Sequence, residues 1–506
     1  MITQKIPTID TIQSTGFSIS EYHDTQAVYK QLHELLSRPI HRIKPDAMNE
    51  YLKYYDERCT ASKSMINEAM NYIPGGVQHN LAFTYPSPLV FTEAHGASLK
   101  DIDGNEYIDF LQAGGPTVLG SNSPEVREYV EDVLRACGPA TGLFHEYELK
   151  LAKFIVDRFQ GVDLFRMLGS GTESCMAAIR LARVSSGNKH VVKLGGAYHG
   201  WSDLLSYGNR IPGTRWLNSH GIPRHVFKRT HEVYPNDIEA LKKRLQRNKW
   251  FGGTAAVIVE PLGPESGTRP VDKDYNAQVR DLCDHYGALL IFDEVVTGFR
   301  VGMSGAQGYF DVTPDLTVFG KAVTGGYPSA GGLGGKQEHM AVLAGGIGGG
   351  KALKKKVHVG GTLAANPLSC VGGYYTLVEM ERVNACEVAG RAGDRLTKGL
   401  QGLIAKYNLP FVAYNQGSIC HLETTATLLM DIQLLKIKSI LSEITERAQV
   451  MQEMGAAYMA EGLVTLAGSR MYTSAACTDE IIDEALVRFE RVLKNIEGVY
   501  SLGEVC

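Results

Sequence analysis

The 506-residue sequence predicts an α/β fold, in which a mostly parallel central sheet is covered by helices. Short apolar runs in the middle of the chain alternate with helical segments such as 274–286, and this alternation is typical of parallel sheets. After about residue 386 the pattern changes to helix, strand, helix, which indicates a smaller C-terminal domain. The runs predicted to be strands are Phe165–Leu168, His190–Lys193, Ala255–Glu260, Ala288–Asp293 and Leu316–Phe319.

The composition excludes several classes of protein. The chain is 44% apolar and 21% charged, as ordinary soluble globular proteins are, and it is long enough for two or three domains. A net charge of −4 gives no reason to expect nucleic acid or an anionic membrane as a partner. No apolar run approaches the roughly 18 residues of a membrane span, and the N-terminus has no apolar signal-peptide core.

Nine cysteines are scattered along the chain without paired spacing, which predicts free thiols in a reducing compartment. No Cys-x-x-Cys or His-x-x-x-His cluster suggests a metal site. We therefore expect a cytoplasmic protein that holds no metal.

Outside the predicted sheet, three segments have a pattern of their own. Residues 1–60 are polar with a weak helical pattern, and we predict an N-terminal helical extension. Asp103-Gly104-Asn105 lies between two alternating runs and predicts a hairpin. The glycine-rich segment 345–350, which precedes the basic cluster Lys351–Lys356, is either a surface loop with solvated lysines or a loop that gates a site.

A candidate phosphate-binding turn follows the first of these predicted strands. Gly169-Ser170-Gly171-Thr172 comes after the strand that ends at Leu168 and opens a helix. Glycines let the backbone approach a phosphate closely, while helix N-terminal amides and the two hydroxyl groups donate hydrogen bonds to it. The motif alone is weak evidence, because an ordinary tight turn explains most such sequences.

An aspartate and a lysine at the ends of two successive predicted strands indicate which kind of ligand the site could bind. Asp293 ends one apolar run, and Lys321 follows the next one and precedes Gly325-Gly326. Either residue alone has an ordinary explanation, as a cap or a solvated lysine. Together they are what pyridoxal 5'-phosphate requires, because a lysine forms a Schiff base with its aldehyde and a carboxylate keeps its pyridine nitrogen protonated.

An aromatic residue at another strand end fits the same site. Tyr198 follows the run that ends at Lys193, and its ring could stack on a pyridine ring, although a partly buried structural tyrosine is as common. His199 is either a structural histidine or a catalytic one. Because ligands of parallel sheets bind at the carboxyl ends of the strands, we expect all these residues to share one site.

Five motifs in this order resemble those of the class III aminotransferases, from about residue 60 to the C-terminus. They are Gly169-Ser-Gly-Thr-Glu-Ser, Gly196-Ala-Tyr-His-Gly, Phe292-Asp-Glu-Val-Val-Thr-Gly-Phe-Arg, Pro314-Asp-Leu-Thr-Val-Phe-Gly-Lys and Gly361-Thr-Leu-Ala-Ala-Asn-Pro-Leu. Within this family the sequence is most similar to the glutamate-1-semialdehyde 2,1-aminomutase branch, as Pro74-Gly-Gly-Val and Ala306-Gln-Gly-Tyr-Phe-Asp-Val-Thr-Pro-Asp-Leu indicate.

The resemblance implies a fold type I pyridoxal-phosphate enzyme, with a large cofactor domain and a small α+β domain built from both chain ends. The corresponding bounds are 1–60 for the extension, 61–114 and 386–506 for the small domain, and 115–385 for the large one. It further implies a homodimer with shared active sites that takes a small-molecule amino donor and a keto or aldehyde acceptor.

The resemblance also assigns roles to individual residues. Ser170, Gly171 and Thr172 would hold the cofactor phosphate, and Thr362 would reach it from the neighbouring subunit. Tyr198 and Val295 would pack on opposite faces of the ring. Asp293 would contact the ring nitrogen, and Lys321 would carry the Schiff base.

The sequence departs from the aminomutase branch at the predicted substrate contacts. That branch carries an arginine shortly after its Gly-Gly-Val, whereas residues 78–83 of this chain contain none. That branch also carries a glutamate in a loop near its C-terminus, and the corresponding loop of this chain, 466–474, is shorter and has no equivalent carboxylate. Glu265 and Arg470 instead lie where ornithine and gamma-aminobutyrate aminotransferases carry a glutamate and a carboxylate-binding arginine. We predict that Arg470 binds the substrate carboxylate and that Glu265 neutralises Arg470 when no substrate is bound. The alternative is that Arg470 is a surface arginine without a role in binding.

These features predict an aminotransferase that moves an amino group between an amino acid, or a related amino-carboxylate, and an oxo acceptor. Two alternatives stay open. An amino-acid racemase or epimerase would use the same lysine, and an intramolecular aminomutase would need no separate acceptor.

Overall fold

The computed structural model describes residues 15–214, 220–344, 356–430 and 437–498. The chain divides into two units. The large unit comprises residues 124–382, and the small unit comprises residues 1–123 and 383–506. Most of the glycine-rich and basic segment, for which the sequence leaves a surface loop and a gate open, lies outside the described residues.

Fifteen α-helices lie in the described part of the chain. They are α1 Thr25–Ser37, α2 Pro45–Arg58, α3 Thr60–Ala69, α4 Pro124–Cys137, α5 Glu146–Val156, α6 Gly171–Ser186, α7 Ile238–Lys249, α8 Pro264–Gly267, α9 Tyr275–Tyr286, α10 Gly305–Phe310, α11 Gln337–Met340, α12 Pro367–Arg382, α13 Ala385–Lys406, α14 Ile437–Ala460 and α15 Asp479–Leu493. None of the helices described combines the length and the apolar character that a membrane span needs.

Fourteen strands accompany the helices within the same ranges. They are β1 Phe91–His95, β2 Ser98–Asp101, β3 Glu106–Asp109, β4 Leu164–Leu168, β5 His190–Leu194, β6 Thr230–Val233, β7 Thr254–Val259, β8 Leu289–Asp293, β9 Leu316–Gly320, β10 Gly331–Gly335, β11 Val412–Gln416, β12 Ile419–Glu423, β13 Leu463–Val464 and β14 Arg470–Tyr472.

The large unit is built on a seven-stranded sheet in the order β4-β10-β9-β8-β7-β5-β6. Four of its pairings are parallel, and only β10 runs antiparallel to both neighbours. Along β7 and β8, alternate side chains enter two separate apolar clusters, as Ile258 and Ile291 do on one side and Val257 and Phe292 on the other. Helices therefore cover both faces of the sheet, and the predicted α/β class is confirmed.

The small unit contains two sheets, ordered β1-β2-β3-β13 and β11-β12-β14. Residues from both ends of the chain meet in it, since β13 pairs in parallel with β3. The hairpin predicted at Asp103-Gly104-Asn105 joins β2 to β3. Helix α1 contributes Val28, Leu32 and Leu35 to the main apolar cluster of this unit, so the N-terminal segment is part of its core.

Local sequence signals fix the helix that carries the candidate phosphate turn. Ser170 caps the N-terminus of α6, where its side chain accepts a hydrogen bond from the Glu173 amide. Gly187 ends the helix in the left-handed region, at φ +70°, which glycine adopts without steric cost. The side chain that caps the helix is thus one of those predicted to hold the cofactor.

Candidate active site

The predicted site residues of the large unit follow the carboxyl ends of neighbouring strands. The candidate phosphate turn follows β4, Tyr198 and His199 follow β5, and Glu265 follows β7. Asp293 is the last residue of β8, and Lys321 comes directly after β9. In parallel strands these ends lie at the same edge of the sheet, which is where ligands of α/β folds bind.

Close backbone approaches hold the phosphate-type turn against its neighbours. A Cβ added to Gly171 would lie 2.8 Å from Val295 Cγ2, and one added to Gly200 would lie 2.7 Å from Thr172 Cα. A side chain at Gly171 or at Gly200 would therefore clash with these neighbours. Because the first amides of a helix have no partner within it, the start of α6 presents N–H donors and a positive dipole end in this narrow space.

Asp293 is buried and held by three hydrogen bonds. The Val295 amide donates to Oδ1 at 3.1 Å, while His199 Nδ1 and Cys175 Sγ lie 2.7 Å and 3.6 Å from Oδ2. Burial lowers the pKa of His199, and the Asp293 carboxylate opposes this shift. We infer a neutral imidazole that donates from Nδ1, which leaves its buried Nε2 without a hydrogen-bonding partner.

The side chains of Cys175, His199 and Asp293 could also hold a metal ion, because their ligand atoms lie within 4.8 Å of one another. Burial and the nearby Asp293 charge raise the pKa of the Cys175 thiol, so a hydrogen-bonded thiol fits this place better than a metal-bound thiolate. The absence of a metal in this protein stays a prediction.

Lys321 lies at the next strand end, in a strained conformation. Its φ is +47°, in the left-handed region that residues other than glycine rarely adopt, and the residue is half-buried. Asp293 pairs with Val318 across β8 and β9, so Lys321 lies about 10 Å further toward the edge of the sheet. A Cβ added to Gly320 would lie 2.9 Å from Val295 Cγ1, so Val295 packs between Gly320, the residue before Lys321, and Gly171 at the start of α6.

Tyr198 offers an accessible aromatic ring beside these groups. The residue is 49% exposed, and its backbone N–H donates to Glu260 Oε1 at 3.0 Å. Burial raises the pKa of its phenol, with the charge of Glu265 as the next cause. The hydrogen bond to Glu260 fixes the backbone of Tyr198, while its ring stays available for contact with a planar ligand.

Glu260 is a site residue that sequence analysis missed. It is buried, and its second oxygen, Oε2, accepts a hydrogen bond from the Ser266 amide at 2.7 Å. It therefore links the turn at Tyr198 to the turn that contains Glu265. The sequence contained a signal for Glu260, since this residue ends a predicted apolar run. Asp293 was recognised as a candidate from the same kind of position.

Lys193 is a second lysine at a strand end, and its chemistry distinguishes it from Lys321. Burial lowers its pKa to about 8. Its ammonium, however, lies 2.9 Å from both Ala197 O and Tyr207 O, 3.3 Å from Leu205 O and 3.2 Å from Asn209 Oδ1. The Lys193 ammonium donates its hydrogen bonds to these acceptors, so it organises the loop after β5 and has no N–H group left for a ligand.

The two predicted substrate contacts belong to different units. In the large unit, Glu265 Oε1 lies 3.5 Å from Nε of Arg210, a residue that sequence analysis did not consider. In the small unit, Arg470 is the first residue of β14. Burial raises the pKa of the nearby Glu423, and the positive charge of Arg470 lowers it. The pairing of Glu265 with Arg470 stays a prediction.

Thr362 lies in an exposed segment of the large unit. A Cβ added to Gly361 would lie 3.5 Å from Glu173 Oε2, in the first turn of α6 of the same chain. The contact of Thr362 with a phosphate of the neighbouring subunit stays a prediction.

Comparison with known proteins agrees with this architecture. The sequence profile of the family described as "Aminotransferase class-III" matches residues 82–493. Glutamate-1-semialdehyde 2,1-aminomutase 2 of Shouchella clausii (strain KSM-K16) is 36% identical over 448 residues, which are 86% of this chain and 98% of that protein.

Two solved structures are similar in fold at 25% sequence identity. An omega-transaminase from Sphaerobacter thermophilus has a TM-score of 0.77 over 87% of this chain and 99% of that one. A structure described as "Transaminase with PLP bound" has a TM-score of 0.75 over 86% of this chain and 97% of that one.

The fold and the grouped side chains define an α/β enzyme whose site lies at the carboxyl edge of a mostly parallel sheet. More particularly, the chain belongs to the class III aminotransferase family, since the family profile spans most of its length. The predicted family and fold are confirmed, and the protein is an enzyme of that family.

Proposed function

We propose that this enzyme transfers an amino group between an amino acid, or a related amino-carboxylate, and a keto or aldehyde acceptor in a ping-pong sequence. One observation carries the proposal. Asp293 ends β8, Lys321 directly follows the adjacent parallel strand β9, and Val295 packs between Gly320 and Gly171 at the start of α6. A carboxylate, a lysine and an anion-binding helix start therefore surround one space, as this chemistry requires.

The cofactor of this family is pyridoxal 5'-phosphate, and the residues present fit it. The narrow start of α6, where Gly171 and Gly200 exclude a Cβ, suits a phosphate held by Ser170 and Thr172. Asp293 would face the ring nitrogen, and Tyr198 and Val295 would contact the two faces of the ring. When bound, the cofactor withdraws electrons from the amino-bearing carbon of the substrate and so makes its proton acidic.

The protein side chains supply the other parts of the reaction. Lys321 would hold the cofactor through Nζ and, once displaced by a substrate amine, would move the proton of that carbon. His199 and Cys175 would keep the Asp293 carboxylate oriented by their hydrogen bonds to Oδ2. The buried setting of this carboxylate strengthens its interaction with a positive charge.

Covalent mapping tests the cofactor site. Borohydride reduction of the purified holoenzyme, followed by peptide mass mapping, should place the cofactor on Lys321. Lys242→Met, which changes an exposed lysine of α7, is the control and should leave the label in place. A label on Lys193, or no label on Lys321, would refute the assignment.

A donor panel tests the reaction. An amino donor should bleach the visible band of the lysine-bound cofactor, and a keto acid should restore it. In deuterated buffer, a band that persists while the substrate exchanges its alpha proton and loses optical rotation would indicate a racemase instead.

An intramolecular aminomutase is the second candidate, and the aminomutase of Shouchella clausii that aligns over nearly its whole length favours it. Steady turnover of glutamate-1-semialdehyde without any added acceptor would establish this activity. Strict dependence on a second substrate would exclude it in favour of transamination.

We further propose a homodimer with shared sites, which the exposed position of Thr362 permits. Co-expression of Lys321→Ala and Thr362→Asp chains tests the sharing. If Thr362 acts on the neighbouring subunit, the mixed dimer regains one intact site of two and about half of the activity. If Thr362 acts within its own chain, both sites of the mixed dimer stay defective.

A cytoplasmic location completes the proposal. The eight cysteines that the structure describes form no disulfide with one another, and seven are buried, which suits a reducing compartment. Cell fractionation with an antibody to the protein tests the location.

A further inference from the structure

Arg210 and Glu265 form an ion pair at the same edge of the sheet as Tyr198. Arg210 Nε lies 3.5 Å from Glu265 Oε1, and the two side chains are 62% and 12% exposed. The arginine therefore reaches into open space above a carboxylate that is nearly buried. Neither the family resemblance nor the sequence motifs assigned a role to Arg210.

The backbone holds Arg210 in place. Its N–H donates to Gly196 O at 2.9 Å, two residues before Tyr198, and its φ is +65°. The preceding loop is tied down by Lys193, whose ammonium donates to Tyr207 O at 2.9 Å. The left-handed conformation of Arg210 is strained for a residue other than glycine, so its surroundings must hold it in place.

The backbone holds Glu265 just as firmly. Glu265 and Ser266 are consecutive residues in the left-handed region, at φ +52° and +56°. Glu260 secures this turn by accepting from the Ser266 amide through Oε2, and it accepts from the Tyr198 amide through Oε1. The backbone of Tyr198 is therefore fixed by the same buried carboxyl group that fixes the turn of Glu265.

Backbone contacts bring the ion pair to the turn that carries Tyr198. The Arg210 N–H donates to Gly196 O, two residues before Tyr198, and Glu260 accepts from both the Tyr198 and the Ser266 amides. In agreement with this, burial raises the pKa of the Tyr198 phenol most, the charge of Glu265 raises it further, and the charge of Arg210 lowers it. We therefore expect a ligand that covers the Tyr198 ring to approach Arg210.

We propose that Arg210 binds the carboxylate of the substrate and that Glu265 pairs with Arg210 when no carboxylate is present. This proposal rests on the proposed function and selects its substrate class: carboxylated amino donors and oxo acids in preference to plain amines. It also assigns Glu265 a partner within its own unit in place of Arg470.

The geometry favours such an exchange of partners. The Arg210–Glu265 contact is a single approach at 3.5 Å with an exposed guanidinium, and ion pairs of this kind contribute little. A substrate carboxylate could instead accept two parallel hydrogen bonds from the guanidinium, which are shorter and stronger. Glu265 remains nearby and would take the arginine back after product release.

The test compares two donors that differ only in their carboxylate, an accepted amino acid and the amine formed by its decarboxylation. Arg210→Gln in the holoenzyme should raise the KM of the amino acid tenfold or more and leave the KM of the amine unchanged. Glu265→Gln removes the competing carboxylate and should lower the KM of the amino acid. Arg247→Gln, an exposed arginine on α7, is the control and should change neither value.

Three results would overturn the proposal: an unchanged amino-acid KM in Arg210→Gln, an equal rise for both donors, or the selective rise in Arg470→Ala alone. Failure of the proposed function looks different, since the wild-type enzyme would then transfer no amino group from any donor. The visible band of the bound cofactor in Arg210→Gln shows independently that the variant is folded and loaded.

Discussion

Among the predicted site residues, Asp293 is the one on which we expect the chemistry of the site to depend most. Its carboxylate accepts hydrogen bonds from the Val295 amide, from His199 and from Cys175, so both oxygens are fixed in direction. A carboxylate held this way does not have to reorient when a positive charge develops beside it, which is the advantage of a preorganised site.

Asp293→Asn should lower kcat about 100- to 1000-fold, because a neutral amide cannot keep a pyridine nitrogen protonated. Stopped-flow measurement of the amino-donor half-reaction checks this. Asp284→Asn, an exposed aspartate of α9, serves as the control and should react at the wild-type rate. Comparable rates in Asp293→Asn and the wild type would remove Asp293 from the mechanism.

Glu260 makes folding depend on pH. Burial raises its pKa from the ordinary value of 4.5 to about 8, with the charge of Asp293 as the next cause. Between these two values the folded chain keeps a proton that the unfolded chain releases, so stability falls as the pH rises through this window. The loss should be on the order of a few kcal/mol.

Glu260→Gln removes this titration while keeping the shape of the side chain. We expect the Tm of the wild type to fall more steeply than that of the variant between about pH 5 and pH 8. Differential scanning calorimetry at several pH values measures both slopes. Parallel curves would show that Glu260 does not titrate in this range.

At the scale of elements, close packing between a strand end and a helix start shapes the cofactor space. Gly200 follows β5, and its φ of +85° and its approach to Thr172 leave no room for a side chain. The start of α6 can therefore lie directly beside the turn that carries Tyr198 and His199.

Gly200→Ala should weaken cofactor binding tenfold or more, since the added methyl group would force Thr172 and the start of α6 away. Gly187→Ala is the matched control, because Gly187 also has a positive φ, +70°, but has nothing within 4 Å of an added Cβ. Fluorescence titration of the apoenzymes with pyridoxal phosphate compares the two. Equal affinities in both variants would show that backbone strain, and not the close approach, sets the effect.

At the scale of the molecule, the N-terminal segment is part of the folded small unit. Leu32 of α1 is fully buried in the apolar cluster that also contains residues of α15. Arg447 of α14 donates to Leu36 O at 2.9 Å, which ties the end of α1 to the C-terminal part of the chain.

Leu32→Ala should lower the free energy of unfolding of the small unit by about 2–5 kcal/mol, the usual cost of a cavity in a packed core. Lys30→Ala on the exposed side of the same helix should cost less than about 0.5 kcal/mol. Urea unfolding of both variants checks the difference. Equal midpoints would show that α1 is not needed for the stability of this unit.

One strand and two candidate site residues of the structure were not predicted from the sequence. Strand β10 was missed because four of its five residues are glycines, which have low strand propensity. Glycine is needed there, since a Cβ on Gly331 would lie 2.5 Å from the Ser170 backbone. Arg210 and Glu260 were not recognised as candidate site residues because their contacts depend on turns that meet only in the folded chain.

The sequence by itself determined the family, the sheet class and the strand ends that carry Asp293 and Lys321, because hydrophobic periodicity and short motifs are local properties. The tertiary structure alone decided which charges face one another. Arg210 and Glu265 are 55 positions apart and lie in two separate left-handed turns, one held by the backbone of Gly196 and the other by the buried carboxyl group of Glu260. Such pairings depend on where separate turns meet in space, and one-dimensional patterns do not contain that information.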